Sequence, residues 1–207
     1  TATTEIYTLS LHDALRSPVP AVLGDGSIVE DFNFYKFTEK KNTLLFFYPM
    51  DFTFVCPSEL IALNNRFTEF SNRNVEIIAV SIDSQFVHKA WRLTPVEEGG
   101  IGNKINYTLV SDIKRFVSTS YGILDEVSGV PYRGAYLIDK NKIIRAQHVH
   151  DFPIGRNIDE YVRLFDALAF HDKYGNVCQA GWSMGDDGII PSKDGVSKFL
   201  TDKSKNL

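Results

Sequence analysis

The chain has two cysteines among its 207 residues, Cys56 and Cys178, and Cys56 has the surroundings of a reactive thiol. It follows the apolar run TLLFFY and a short loop, PMDFTFV, and Pro57 comes directly after it. Thr53 lies three residues before it and Glu59 three after. The thiolate is the nucleophilic form of cysteine, and a helix N-terminus or a nearby cation favours it. The unpaired N–H groups at such a terminus also attract an anionic or developing oxygen. Thr53 can donate and accept through one hydroxyl, and Pro49 and Pro57 supply stiff apolar walls. The same pattern also describes an inert cysteine buried at a strand–helix turn. Spacing alone leaves both readings open.

The elements around Cys56 must place it at that turn. Residues 43–48 are a continuous apolar run, short enough for a buried strand. A helix is predicted over residues 57–70. Its apolar positions Leu60, Leu63, Phe67 and Phe70 share one face, and Pro57 and Glu59 suit its first turn. VLGDGSIVEDF reads as a hairpin, VEIIAVSID as a second buried strand and SQFVHKAWRL as a second helix. EEGGIGN is a glycine-rich loop, YTLVSD a strand, and Asp112 can cap a helix running to about Tyr121. GAYLIDKNKIIRAQHVH reads as two strands turning at Lys140 and Asn141. IDEYVRLFDALAFHDKYG is a helix with Tyr161, Leu164, Phe165 and Leu168 as its stripe and Gly175 as its stop. A turn-rich tail follows. Strands alternating with helices imply a central mixed sheet flanked by helices, and sites on such sheets gather where strands end and helices begin.

Composition narrows the class. A 43% hydrophobic and 23% charged chain is ordinary for a globular protein. A net charge of −4 argues against nucleic acid or an anionic membrane as the main partner. No apolar run reaches the ~18 residues of a membrane span, and the first residues lack the basic head and apolar middle of a secretory signal. Two cysteines without a CxxC pair do not make a disulfide scaffold, so a reducing cytoplasm is the expected compartment.

PMDFTFVC matches the Pro-x-x-x-Thr-x-x-Cys pattern of peroxiredoxins, and FFYPMDFTFVCPSEL resembles their active-site segment. The resemblance continues in VSIDSQFVHKAW, TPVEEGGIGN, RGAYLIDKNK, IGRNIDE and VCQAGW, in colinear order from about residue 18 to about residue 200. It is to the typical two-cysteine branch, of the thioredoxin-dependent or alkyl hydroperoxide reductase type. It implies an α/β, thioredoxin-like fold over residues 18–170 and a C-terminal tail over residues 171–207. The implied function is reduction of hydrogen peroxide and alkyl hydroperoxides, with an antioxidant role and with no metal or cofactor. Cys56 would be the peroxidatic cysteine, oxidised to a sulfenic acid. Thr53 would position the peroxide, Arg133 would hold positive charge beside the sulfur, and Pro49 would shield the site. Glu59 and Arg156 would orient Arg133 and Thr53. Cys178 would be the resolving cysteine, forming an intersubunit disulfide that thioredoxin or a dedicated disulfide reductase reopens. A homodimer, and a ring-shaped decamer of five dimers, would be the working assembly.

The sequence also departs from the family pattern. Residues 1–17 do not fit it and resemble the translated read-through of a sequencing adapter. Gly99 to Gly102 resemble a loop that packs against a Tyr-Phe helix in oxidation-sensitive members. Here the tail reads Phe199-Leu200 without the tyrosine hydroxyl, so resolution is expected to compete better with overoxidation. Gln179 stands where a proline is usual. His148, His150 and Asp151 could form a metal pair, but a solvated strand end is the expected reading because no further ligand is evident. Trp91 is expected in the core, and GGIG lacks the Lys-Ser/Thr of a phosphate loop. A thioredoxin-type exchanger would want CxxC. A non-enzymatic holdase or peroxide sensor would be told apart by failing to consume peroxide.

Overall fold

Two apolar runs, at residues 44–47 and 77–80, build the middle of a sheet that is covered on both faces. The structure is a computed structural model that describes residues 18–102 and 105–206. The readings for residues 1–17, and for Asn103 at the end of the glycine-rich loop, lie outside the described residues. The chain divides into two units, residues 1–158 and 159–207.

The first unit holds β1 (Val19–Val22), β2 (Ile28–Phe32), α1 (Phe34–Phe37), β3 (Asn42–Phe47), α2 (Cys56–Asn65) and α3 (Phe67–Asn72). It continues with β4 (Val75–Ser81), α4 (Gln85–Leu93), β5 (Thr108–Ser111), α5 (Phe116–Ser120), β6 (Leu124–Asp125), β7 (Val130–Pro131), β8 (Arg133–Ile138) and β9 (Ile144–His150). Seven strands form one sheet in the order β2-β1-β5-β4-β3-β8-β9, and β6 and β7 form a separate ribbon. β3, β4 and β5 run parallel, and the outer pairings are antiparallel. In register, Leu45 lies beside Ile78 and Tyr136, and Phe46 beside Ala79 and Ala135. Side chains alternate between faces along a strand. Leu45, Phe47, Ile78, Val80 and Tyr136 therefore join Phe34, Val117 and Tyr121 in one apolar cluster. On other elements of this unit, Leu60, Leu63, Phe70 and Trp91 are fully buried.

Most elements follow the expectations, and the differences have local causes. The helix expected over 57–70 is broken at Arg66, whose φ of −103° and ψ of 7° end α2 and begin α3. The apolar stripe continues across the break, which is why periodicity did not reveal it. Asp112 does cap α5, but across a loop: its carboxylate accepts from the Val117 and Ser118 amides, with Arg115 left-handed in between.

In the second unit, α6 (Ile158–Tyr174, its first residue belonging to the first unit) ends at Gly175, whose φ of +72° a side chain would resist. Beyond it, Val177 and Ile189 exchange backbone hydrogen bonds. The tail is more than turns, for it carries α7 (Lys193–Lys203), capped by the Ser192 hydroxyl. Gly195 in its first turn and a weak apolar stripe hide this helix from periodicity. No helix among the described residues is long and apolar enough to cross a membrane.

Candidate active site

Cys56 is the first residue of α2, and its side chain is 0% exposed. Parallel β3 delivers the chain to the loop before it, and Pro57 fits the start of the helix because that position needs no N–H partner. Val55 offers no side-chain cap, and the Ser58 hydroxyl turns back to the Val55 carbonyl at 2.6 Å. In the loop itself Phe52 has φ +53°, uncommon for a bulky side chain, and its half-exposed ring lies 5.9 Å from that of Trp91.

Residues far apart in sequence meet at the sulfur. Arg133 Nη1 donates to Cys56 Sγ at 3.4 Å and to Glu59 Oε2 at 2.8 Å, and its Nε donates to the Phe152 carbonyl at 2.7 Å. The guanidinium is thus anchored through Nη1 to Glu59 and through Nε to Phe152, and cannot turn from the sulfur without breaking these hydrogen bonds. Glu59 in turn is fixed by Arg156, which gives it Nε at 2.8 Å, Nη2 at 2.9 Å and its backbone N–H at 2.9 Å. Arg156 Nη1 also donates to the carbonyls of Phe47 and Gly134, and its guanidinium lies 3.3 Å over the Phe46 ring. Burial alone would push the Glu59 carboxyl up. The hydrogen bonds and charge of Arg156, with Arg133, outweigh it and hold Glu59 below the usual carboxylate range. Glu59 and the two arginines carry a net positive charge next to a buried sulfur.

Thr53 is half-buried, and its hydroxyl donates to the Met50 carbonyl at 2.8 Å, which leaves its oxygen free to accept. Pro49 is buried. The six first-unit residues singled out from the sequence, Pro49, Thr53, Cys56, Glu59, Arg133 and Arg156, therefore lie on one loop, the helix it leads into, and the chain from β8 to just after β9.

A network under the same loop was not singled out. Tyr48 donates to Asp51 Oδ1 at 2.7 Å, His88 Nδ1 lies 2.8 Å from Asp51 Oδ2, and the Asp51 amide donates to Asp83 at 2.8 Å. The other ring nitrogen of His88 faces the Val110 carbonyl at 3.2 Å. Both nitrogens thus face acceptors, which calls for a proton on each. Burial works against that cation, but the Asp51 carboxylate prevails and raises the His88 pKa. Asp51, Asp83 and His88 are the residues whose ligand-type atoms cluster within 4.8 Å among those described, yet hydrogen bonds to one another and to Tyr48, Ser81 and Val110 already occupy them. His148 and His150 are half-buried on β9 and belong to no such cluster among the described residues.

Cys178 is in the second unit, half-buried, and is a free thiol like Cys56. Its Sγ donates to the Ala167 carbonyl of α6 at 3.5 Å. Arg163 of the same helix forms a two-pronged pair with Glu160, at 2.6 and 2.7 Å, and donates to the Trp182 carbonyl at 2.6 Å. Trp182 is 1% exposed and packs on Phe170, with ring centroids 5.1 Å apart.

This arrangement can hold a buried sulfur nucleophile against fixed hydrogen-bond donors. Comparison with known proteins gives it a context. Residues 16–147 match the model of the AhpC/TSA family. Alkyl hydroperoxide reductase C of Buchnera aphidicola subsp. Baizongia pistaciae is 52% identical over 185 residues, which are 89% of this chain and 92% of that one. Its counterpart in Helicobacter pylori is 45% identical over 188 residues, 91% of this chain and 94% of that one. Among solved structures, reduced 2-Cys peroxiredoxin of Plasmodium vivax superposes with a TM-score of 0.85 at 45% identity, covering 88% of this chain and 93% of that one.

Proposed function

The chain belongs to the AhpC/TSA family and is a thiol peroxidase of the two-cysteine peroxiredoxin type, and from that premise we propose that Cys56 is the atom that meets the peroxide. The observation that carries this reading is the Arg133 donor 3.4 Å from Cys56 Sγ, at the start of α2. The Cys56 thiolate attacks one peroxide oxygen. The S–O bond forms, the O–O bond breaks, and the departing oxygen takes a proton and leaves as water or an alcohol. Arg133 and the first amides of α2 stabilise charge in that transition state. Thr53 accepts from the peroxide O–H and aligns it, Pro49 walls the site, and Glu59 and Arg156 keep Arg133 in place.

Cys178 then resolves the sulfenic acid as a disulfide. Because Cys56 is 0% exposed, its helical turn must open first, and that opening has to give up the hydrogen bonds of Arg133 and Arg156 to Glu59. We assign the second thiol to a neighbouring subunit, in a homodimer that assembles further into a ring-shaped decamer. Thioredoxin or a dedicated reductase reopens the disulfide, and the reducing cytoplasm is the setting in which that cycle runs.

The test is rapid mixing with hydrogen peroxide. Cys56→Ser loses the reaction. Cys178→Ser consumes one equivalent and stops as the sulfenic acid. A Cys56→Ser variant that consumes peroxide at the wild-type rate would overturn the assignment.

A further inference from the structure

The second unit contains an arrangement suited to making the thiol of Cys178 ready for reaction. Arg163 and Ala167 are one turn apart on the same face of α6. The Cys178 thiol sits on the Ala167 carbonyl. The Arg163 guanidinium is pinned at both ends, by Glu160 on its own helix and by the Trp182 carbonyl in the loop that carries Cys178. Trp182 is itself fixed, by its packing on Phe170 and by its ring N–H to the Asp186 carbonyl at 3.2 Å. The cation therefore occupies a set place beside that loop. Of the loop's two acids, Asp186 and Asp187, Asp186 is turned to the Ser183 amide at 2.8 Å.

Resting on the reading of Cys178 as the resolving cysteine, we propose that Arg163 is its positioning residue, holding a fixed positive charge that sets how much of Cys178 is thiolate when Cys56 is oxidised. The step it serves is balanced: Cys178 loses its proton to water, its sulfur attacks the sulfenic sulfur, the S–S bond forms and hydroxide departs to take up a proton. No outside oxidant is required. Burial pushes the Cys178 thiol up, and Arg163 is the charge that opposes it. Glu160, paired with Arg163, tempers its field.

The test uses full-length protein. In a Cys56→Ser background Cys178 is the one thiol left, because the chain has two cysteines. Its ionisation is then read from the rate of alkylation by monobromobimane against pH. Arg163→Gln is expected to move the midpoint up and Arg163→Lys to keep it near wild type. Glu160→Gln is expected to move it down, although it cuts the same pair as Arg163→Gln. With Cys56 present, Arg163→Gln slows disulfide formation at neutral pH. Each tenfold loss of thiolate costs about three- to fourfold in rate, because the more basic thiolate is the better nucleophile. For the same reason the variant overtakes wild type at alkaline pH. A merely structural role would move both Glu160→Gln and Arg163→Gln the same way and slow the reaction at every pH. That result, or midpoints that do not move, would overturn the proposal. Should Arg163→Gln fail to fold, Glu160→Gln decides alone, by lowering the midpoint or not. Cys178→Ser separates the two readings. If it still cycles at the wild-type rate, Cys178 is not the resolving thiol. If it stalls while the midpoints stay fixed, only the role of Arg163 falls.

Discussion

Glu59 is the residue on which both guanidiniums of the site converge, and its charge can be tested through stability. Folding lowers its pKa, so the native state binds fewer protons there than the unfolded chain does. Its contribution is complete above the ordinary carboxylate range and is lost as pH falls through the depressed folded value. Glu59→Gln should therefore flatten the acid limb of a stability–pH curve measured by chemical denaturation. At neutral pH it should cost about 3–5 kcal/mol, the usual result of leaving buried charges unpaired. Part of this site is legible in a single sequence. Cys56, Pro57 and Glu59 form a local pattern, with Thr53 just before it. Arg133 lies 77 positions from Cys56, beyond any periodicity, and only the family resemblance of RGAYLID and IGRNIDE pointed to it and to Arg156. The pair of Asp51 and His88, 37 positions apart, fell within two recognised segments and still went unread, because nothing local says that a loop acid will meet a helix histidine.

That pair matters at the scale of elements, since it ties the loop before α2 to α4 and, through Val110, to β5. His88 has a raised pKa, so, while Asp51 is ionised, the stability it supplies is present below its ordinary value of 6.5 and is lost as pH rises through the folded value; burial raises the Asp51 pKa as well, which closes the window from the acid side. Denaturation of wild type between neutral and alkaline pH should show this loss, and His88→Asn should lack it. An equal decline in the variant would disprove the charged pair. The central strands β3 and β4 were the most legible elements because a run buried on both faces has few other readings, whereas the short ribbon of β6 and β7 was not expected. The break at Arg66 and the helix α7 were not. One lies beneath a continuous apolar stripe, and the other has Gly195 near its start and half-exposed Val196 and Leu200 where a core face would be.

At the scale of the whole molecule the two thiols belong to separate units of the chain, and the question is whose Cys178 meets whose Cys56. Mixing Cys56→Ser with Cys178→Ser answers it. Resolution between subunits predicts that the mixture recovers turnover which neither variant has alone, with a disulfide-linked dimer on a non-reducing gel. Resolution within one chain predicts no recovery. Arg156 adds a constraint of another kind. The same side chain that grips Glu59 also binds the Phe47 and Gly134 carbonyls of neighbouring β3 and β8 and covers the Phe46 ring. Chemistry and scaffold are here one object. Anyone grafting this reactive loop onto a foreign protein would have to carry two adjoining strands with it, in their original alignment, or receive an ordinary cysteine in return.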